Sequence, residues 1–183
     1  MHYNSAKEAI SKLYDIPENK LIKLKKFGLE NDGIYACDDK IYKVASSRKE
    51  FLAAERLIGK NFTNVVKVYS CKSCKIMSEY ERVWESFIIS EEHLYRSKNE
   101  YVYNSLDINM ISENIEKRVP YMIAIMNGIV ELASVGIKHA DLHSLNILMS
   151  KKGIPKIIDF GIVSLKKKYD EKVKFKAYIK NLE

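Results

Sequence analysis

The amino-acid sequence predicts an α+β fold with two lobes, the first rich in strands and the second in helix. Up to about residue 94, short apolar segments alternate with turn residues, as in a sheet of short strands. From residue 119 the apolar spacing changes to that of a helix, and two short apolar strands follow it. We therefore place a lobe of strands with one helix at residues 1–94 and a smaller, helical lobe at residues 95–183.

The composition is that of a globular chain and excludes collagen-like, low-complexity and wholly disordered proteins. Of the 183 residues, 46% are hydrophobic, while only 7 are Gly and 3 are Pro. No apolar run approaches the roughly 18 residues of a membrane span. The first residues also lack the apolar core of a signal peptide. We therefore expect a cytoplasmic protein with no membrane partner.

Charge and cysteine content narrow the range of partners. The net charge of +7 favours polyanions such as nucleotides, nucleic acid or acidic surfaces, although solvated lysines on helix faces also explain it. Three cysteines are an odd number, which argues against a disulfide framework. Cys71 and Cys74 have the spacing of half a zinc site, but no second pair follows, so we interpret them as free thiols.

Short strands form most of the first lobe. They are predicted at Leu21–Phe27, Ile34–Cys37, Ile41–Val44, Val65–Tyr69 and Phe87–Ser90. The second and third form a hairpin around Asp38 and Asp39, which favour turns, and residues 28–33 form a turn before it. The pattern assigns no structure to residues 72–85.

One helix interrupts these strands. Ser47 and Glu50 match a capping box, in which each side chain satisfies the backbone N–H of the other residue. The helix is predicted to run to about Ile58 and to stop at Gly59, because glycine favours the conformation that follows a helix end.

The second lobe is built on a long helix that begins near Val119. Its apolar residues recur at the spacing of a buried helical stripe. They are Met122, Ile123, Met126, Ile129, Val130 and Ala133. Pro120 falls in the first turn and Gly136 at the C-terminal cap. Two short strands follow, at Ile147–Met149 and Lys156–Ile158, with a glycine turn between them.

Three polar residues flank these last two strands. Asp141 and Asn146 precede the first strand, and Asp159 follows the second. Carboxylates and a carboxamide at strand ends suit Mg²⁺, which prefers oxygen ligands. The arrangement resembles the protein-kinase-like superfamily, because His139-Ala-Asp141 occupies the place of His-Arg-Asp. The five-residue step from Asp141 to Asn146 matches the catalytic loop, and Asp159-Phe-Gly matches the metal-binding motif.

This resemblance implies a role for each residue. Asp141 would orient the acceptor hydroxyl and receive its proton, while Asn146 and Asp159 would bind the Mg²⁺ ions that bridge the phosphates of ATP. His143 occupies a position where protein kinases usually carry Lys. It either helps to neutralise the transferring phosphoryl group or makes hydrogen bonds within the loop. Ala140 replaces the family arginine that pairs with a phosphorylated activation loop, which makes that form of control doubtful.

The first lobe carries partner motifs of the same family. Gly28 and Gly33 match the outer glycines of the nucleotide-binding loop, although Glu30 occupies the middle position and a plain hairpin turn fits as well. Lys43 follows at the distance of the strand lysine that contacts the α- and β-phosphates; a solvated strand lysine is the alternative. Glu91 matches the hinge position whose backbone groups hold adenine, or else is an ordinary loop carboxylate.

Such a lysine needs a carboxylate partner on the helix, and two are available. Glu50 is already explained by the capping box. Glu55 shares a helix face with three apolar residues, and carboxylates are rarely buried without a partner. These apolar residues are Phe51, Leu52 and Ile58. We therefore expect Glu55 to pair with Lys43.

The resemblance extends over about residues 21–165. Only 22 residues follow Gly161, so we expect a reduced C-terminal lobe without the segments that hold a peptide substrate. In this the chain is similar to RIO-type kinases and to the small kinase associated with tRNA threonylcarbamoylation. Its His-x-Asp-Leu-His pattern is similar to the aminoglycoside phosphotransferases. The segment Lys166–Lys180 is either a basic helix that contacts nucleic acid or an acidic partner, or a solvated closing helix.

The function that the resemblance implies is an ATP- and Mg²⁺-dependent phosphotransferase acting on a hydroxyl. Ser or Thr of a protein is the first acceptor to consider, and a small molecule or sugar is the next. The alternative is a nucleotide-binding pseudokinase or regulatory module, which Glu30 and the missing substrate lobe favour. A third hypothesis is an ATPase-like component of a tRNA-modifying complex, suggested by the small size and the basic C-terminal segment.

Overall fold

The computed structural model describes residues 2–24, 31–77, 82–96 and 115–166. In chain order, the helices and strands are β1 (His2–Tyr3), α1 (Ala6–Tyr14), β2 (Ile22–Lys23), β3 (Asn31–Cys37), β4 (Lys40–Ala45), α2 (Arg48–Leu57), β5 (Val68–Met77), β6 (Val83–Glu92), α3 (Ile115–Ser134), β7 (Ile137–Lys138), β8 (Ile147–Met149), β9 (Pro155–Ile157) and β10 (Ser164–Leu165). The predicted α+β class is confirmed, because a mainly antiparallel sheet precedes one long helix and two small sheets. Within the described ranges, none of the helices combines the length and apolar character needed to cross a bilayer.

Six strands form the main sheet, in the order β1-β5-β6-β4-β3-β2. All neighbouring strands are antiparallel except β1 and β5. The predicted hairpin is confirmed, since β3 and β4 are joined by a tight turn in which Asp38 adopts a φ of 54°. Asp tolerates this left-handed conformation better than most residues. The strands β4 and β6 are central, so their side chains are largely buried.

The strands β5 and β6 are longer than the sequence predicts. Residues 72–85, to which the pattern assigns no structure, lie largely in these two strands. Lys72 is exposed in the middle of β5, so the apolar pattern that marks a strand is interrupted there. The strand predicted from Val65 begins only at Val68, and Val65 makes an isolated parallel bridge to Ile157 instead.

The helix α1 is missing from the sequence prediction, which gives the first lobe one helix and is therefore wrong on this point. Ser5 caps α1 by accepting a hydrogen bond from the Glu8 N–H (3.1 Å), and Asp15 ends it in the left-handed conformation. Ala9 and Ile10 are buried in the smaller of the two core clusters. The spacing of Ser5 and Glu8 is that of a capping box, so a signal for this helix was present.

The helix α2 has the predicted position but a different buried face. Ser47 caps it by accepting a hydrogen bond from the Glu50 N–H (3.4 Å). Its buried residues follow the i, i+3, i+4, i+7 spacing of one helical face. They are Glu50, Ala53, Ala54 and Leu57. Leu52 and Ile58 are each 39% exposed, so the apolar face predicted for this helix is wrong.

The helix α3 confirms the predicted long helix but not its orientation. The large apolar residues of the predicted stripe lie at the surface, with exposed fractions of 38–68%. They are Val119, Ile123, Met126, Ile129 and Val130. Ile125 and Leu132 are buried instead, on the face where Gly128 contacts β9. Pro120 is the sixth residue of the helix, beyond the first turn that the sequence predicts for it.

The larger core cluster joins the two halves of the chain. It contains residues of α2 and of the sheet together with residues of α3, β8 and β9. The predicted hairpin of β8 and β9 is confirmed. Its second strand is tied to the first half through Ile157, which accepts from the Val66 N–H (3.0 Å) and donates to the Asn64 carbonyl (2.8 Å). These bonds fix the residues that follow β9 relative to the sheet.

The close approach of α3 to β9 makes Gly128→Ala a test of this packing. Alanine normally favours a helix over glycine by about 1 kcal/mol. Here a Cβ would lie 2.7 Å from the Asn64 carbonyl oxygen and 2.8 Å from Ile157 Cδ1, so the helix must shift. We expect the free energy of unfolding in urea to fall by about 1–3 kcal/mol.

The matched control is Asn127→Ala, at the exposed neighbouring position of the same helix. Its free energy of unfolding should stay within about 0.5 kcal/mol of the wild-type value or increase. A Gly128→Ala variant that is as stable as this control would show that α3 and β9 are further apart.

Candidate active site

Lys43 is the centre of a buried cluster of charges. Its side chain projects from β4, is 5% exposed, and places Nζ 2.5 Å from Glu50 Oε1 and 2.9 Å from Asp159 Oδ1. The three residues come from β4, from the first turn of α2 and from the segment after β9. One ammonium group therefore joins three separate parts of the chain.

The helix partner of Lys43 is Glu50, and the predicted pairing with Glu55 is wrong. Glu50 is 3% exposed, whereas Glu55 is at the surface. The reason is the phase of α2, whose buried face is made of two alanines and a leucine and not of its larger apolar residues. Glu50 also uses its backbone N–H, which Ser47 caps, so capping and ion pairing occur at the same residue.

The electrostatics of the cluster favour the charged forms of both Lys43 and Asp159. Burial would lower the pKa of Lys43, but the carboxylates of Glu50 and Asp159 outweigh it and raise the pKa above its ordinary value. Burial would likewise raise the pKa of Asp159. The nearby Lys43 ammonium and the Gly161 N–H (3.3 Å) hold it below the ordinary value. Both groups therefore remain ionised at neutral pH.

Glu91 adds a third carboxyl group to the surroundings of Lys43. Glu91 lies opposite Ile41, and Lys43 lies opposite Ile89 on the neighbouring strand. Since side chains two residues apart share a face of a sheet, the Glu91 and Lys43 side chains lie on one face. Burial raises the pKa of Glu91 to about 7, Lys43 opposes this change, and Glu50 and Asp159 reinforce it.

The sequence predicts a backbone role for Glu91, with an ordinary loop carboxylate as the alternative. Glu91 lies within β6 and is 5% exposed, so it is not a loop carboxylate. The apolar residues that precede Glu91 in β6 are the sequence signal that its side chain is buried. The hinge role of its backbone groups remains a prediction. The side chain is the part of Glu91 that faces the charged cluster.

The loop between β7 and β8 brings Asp141, His143 and Asn146 together. Asn146 is buried and donates from Nδ2 to the Asp141 carbonyl (2.9 Å). His143 Nε2 lies 3.8 Å from Asp141 Oδ2, and both side chains are nearly half exposed. Ala140 adopts a φ of 61°, which turns the chain just before Asp141. The backbone of Asp141 is thus fixed by Asn146, while its carboxylate remains open to solvent.

His139 fixes this loop to the segment that carries Asp159. Its Nε2 donates to the Ile158 carbonyl (2.8 Å), and its ring packs edge-on against Phe160. The Ile158 N–H in turn donates to the Asn146 carbonyl (3.0 Å). Asp159 and Asn146 are therefore neighbours across the β8–β9 hairpin.

The donor groups of this hairpin suit Mg²⁺. Asp159 offers a carboxylate whose side chain is 41% exposed. Asn146 directs its Nδ2 to Asp141, so its carboxamide oxygen is the atom left for a metal. No cluster of three or more His, Cys, Asp or Glu in the described ranges could hold a metal alone. Mg²⁺ is commonly bound by one or two protein oxygens together with substrate phosphates, and Asp159 and Asn146 offer two such oxygens.

Some predicted residues lie outside the described ranges or differ from expectation. Gly28 and Glu30 are outside them, as is the basic segment beyond Lys166. Gly33 lies within β3, at a bulge after Asn31, with a φ of 144°. Residues 31–33 therefore belong to a strand and not to the predicted turn, and Gly33 contributes a strand irregularity.

Comparisons of this sequence with known proteins find protein kinases. Residues 84–181 match the family model for protein tyrosine and serine/threonine kinases. The chain is 32% identical to cyclin-dependent kinase-like 2 of Pongo abelii and 31% identical to that of Homo sapiens, each over 142 residues and 78% of this chain. It is 29% identical to the serine/threonine-protein kinase mos of Ciconia nigra, over 63% of this chain and 62% of that protein. The chain spans 24% of the length of each of these two cyclin-dependent kinase-like 2 proteins.

The Lys43–Glu50 ion pair is tested by comparing two identical changes on α2. Glu50→Gln removes a buried charge partner and should lower the free energy of unfolding by about 1–3 kcal/mol. Glu55→Gln, at the surface of the same helix, should change it by less than about 0.5 kcal/mol. In a double-mutant cycle with Lys43→Met, only Glu50 should couple. Coupling to Glu55 of the same size would contradict the pairing.

Glu91 should make stability depend on pH. A carboxyl group with a pKa of about 7 when folded and an ordinary value of 4.5 binds more protons in the folded state between these values. Its contribution to the free energy of unfolding therefore falls as the pH rises from about 4.5 and levels off above about 7.

Glu91→Gln removes this titration. The stability of the variant relative to wild type should thus increase by up to about 3 kcal/mol between pH 5 and pH 8, measured by urea unfolding across that range. Glu85→Gln, at the surface of the same strand, should show no such trend. Parallel pH profiles for wild type and Glu91→Gln would exclude a buried titrating group at this position.

Proposed function

Because this chain belongs to the protein tyrosine and serine/threonine kinase family, we propose that it transfers the γ-phosphoryl group of ATP, in the presence of Mg²⁺, to a Ser or Thr hydroxyl of a protein. The observation that supports this most directly is the contact of Lys43 with both Glu50 and Asp159. Phosphoryl transfer in kinases requires a strand lysine, held by a helix glutamate, close to the aspartate that binds the metal. The same three residue types meet here.

The described residues divide into two groups by what they do in this proposal. Lys43 contacts nucleotide phosphates and is held in place by Glu50, while Asp159 and Asn146 hold Mg²⁺, which neutralises charge on the phosphates. Glu50, Glu91 and Asp159 surround one lysine, so the local charge is negative and attracts a divalent cation.

Asp141 acts on the acceptor. Its carboxylate is 47% exposed, so a hydroxyl reaches it from solvent, and Asn146 holds the backbone of Asp141 through the Asp141 carbonyl. The carboxylate would accept the proton of the hydroxyl while the hydroxyl oxygen bonds to the γ-phosphorus. The bond between that phosphorus and the β–γ bridging oxygen breaks, and ADP leaves with the bridging oxygen. His143, 3.8 Å from this carboxylate, is placed to stabilise its charge. The serine/threonine kinase named among the relatives supports a Ser or Thr acceptor.

The proposal predicts different defects for Asp159→Ala and Asp141→Asn. Asp159→Ala removes a metal ligand and should abolish Mg²⁺-dependent ATP binding and transfer. Asp141→Asn should lower transfer by about 10²-fold or more, with little change in ATP affinity, because this residue contacts the acceptor. Transfer is measured with radiolabelled ATP and dephosphorylated casein, and ATP affinity by calorimetry with and without Mg²⁺.

The control is Glu116→Gln, at an exposed position of α3, which should leave both measurements unchanged. Asp159→Ala protein that transfers at the wild-type rate would contradict the metal assignment. Wild-type protein that binds Mg²⁺-ATP but transfers to neither protein nor water would instead support a nucleotide-binding regulatory module.

A further inference from the structure

A cleft lies on the opposite side of β6 from Lys43. Its volume is about 460 Å³, and residues of the β3–β4 turn, the end of β6 and the β8–β9 turn line it. Since side chains alternate between the faces of a strand, Glu91 faces Lys43 while Glu92 lines this cleft. We call it the back cleft. Its charged lining residues are Asp39, Glu92, Lys151, Lys152 and Lys156.

The acids of the back cleft are already used in ion pairs. Lys156 is 9% exposed and places Nζ 2.8 Å from Glu92 Oε2, and Lys151 pairs with Asp39 on the surface. Lys152 is exposed and makes no ion pair with any residue in the described ranges. One positive charge on the β8–β9 turn is thus left without an opposite charge.

Two further lysines meet at Tyr69, which also lines the back cleft. Lys40 Nζ lies 4.9 Å and Lys67 Nζ lies 5.3 Å from the centre of the Tyr69 ring. The ring attracts each ammonium group, but two cations at one ring repel each other. Among the described residues, the back cleft and its rim thus carry five lysines and two acids, which is a net charge of +3. The described part of the chain supplies no ion-pair partner for Lys40 or Lys67.

We propose that the back cleft binds a phosphate monoester, the group carried by a phosphorylated Ser or Thr side chain of a protein. A phosphate monoester has a charge of about −1.5 to −2 at pH 7 and three acceptor oxygens, which matches three unpaired ammonium groups from three segments. Lysine binds phosphate as a point charge with no fixed geometry. A single carboxylate would leave most of the excess positive charge in place.

This proposal is independent of the proposed function. The lysines that it uses are Lys40, Lys67 and Lys152, and none belongs to the cluster around Lys43. Loss of phosphoryl transfer would not affect it, and loss of phosphate binding in the back cleft would not affect the assignment of the site at Lys43.

The test measures binding of a labelled glycine–serine peptide that carries one phosphoserine, by fluorescence anisotropy on the full chain at low salt. Its unphosphorylated counterpart, free O-phosphoserine and inorganic phosphate are the comparison probes. We expect the phosphopeptide to bind and the unphosphorylated peptide not to bind. In Lys67→Gln/Lys152→Gln the affinity should fall at least tenfold. Tighter binding of the peptide than of O-phosphoserine supports a protein source, and equal binding supports a small phosphorylated molecule.

The matched control is Lys12→Gln/Lys75→Gln, which removes the same charge from exposed positions on α1 and β5. It should weaken binding less than twofold. Equal weakening by both double variants would overturn the proposal, because only the net charge would then matter. Two other results would overturn the proposal. One is displacement of the phosphopeptide by a non-hydrolysable ATP analogue. The other is that the phosphopeptide does not bind, while a single-stranded oligoribonucleotide binds and its binding depends on Lys67 and Lys152.

Discussion

The buried ammonium group of Lys43 is the constraint on which the arrangement of the molecule depends. A cation that is 5% exposed is tolerated only where carboxylates and hydrogen bonds replace its water. Glu50 and Asp159 meet this need from very different places in the sequence. Glu50 follows Lys43 closely, whereas Asp159 lies 116 residues after Lys43. The sheet, α2 and the β8–β9 hairpin must therefore be placed correctly relative to one another before the ion pairs form. Removing one partner of such a group typically costs several kcal/mol, which makes the cluster a strong determinant of the packing of the two halves.

Three carboxyl groups around one ammonium group are more than charge balance requires. The excess explains why the pKa of Glu91 is raised to about 7, since burial and the neighbouring Glu50 and Asp159 all disfavour its charged form. Glu91 is therefore close to its neutral form, while Lys43 and Asp159 are charged. A divalent cation would reduce this repulsion, as the proposed role of Asp159 and Asn146 requires.

Much of this arrangement was predictable from the sequence, and the errors share one physical cause. The hairpins β3–β4 and β8–β9 and the N-terminus of α2 follow from turn and capping residues, whose effects are local. The loop of Asp141 and Asn146 follows from a motif. The buried faces of α2 and α3 were predicted from the largest apolar residues, but close packing is achieved by Ala53, Ala54 and Gly128. Small residues let a helix approach its neighbour closely, so the buried face is set by fit and not by hydrophobicity alone. The wrong prediction that Glu55, and not Glu50, pairs with Lys43 has the same cause, because it rests on the wrong buried face of α2.

The strand β6 connects the two charged regions, because adjacent residues of one strand point to opposite faces. Glu91 belongs to the cluster of Lys43, and Glu92 pairs with Lys156 in the back cleft. Lys156 lies on β9, three residues before Asp159, so this segment contacts β6 through Lys156 and β4 through Asp159. A shift of β9 relative to the main sheet would disturb the Lys156–Glu92 contact and the Asp159–Lys43 contact together.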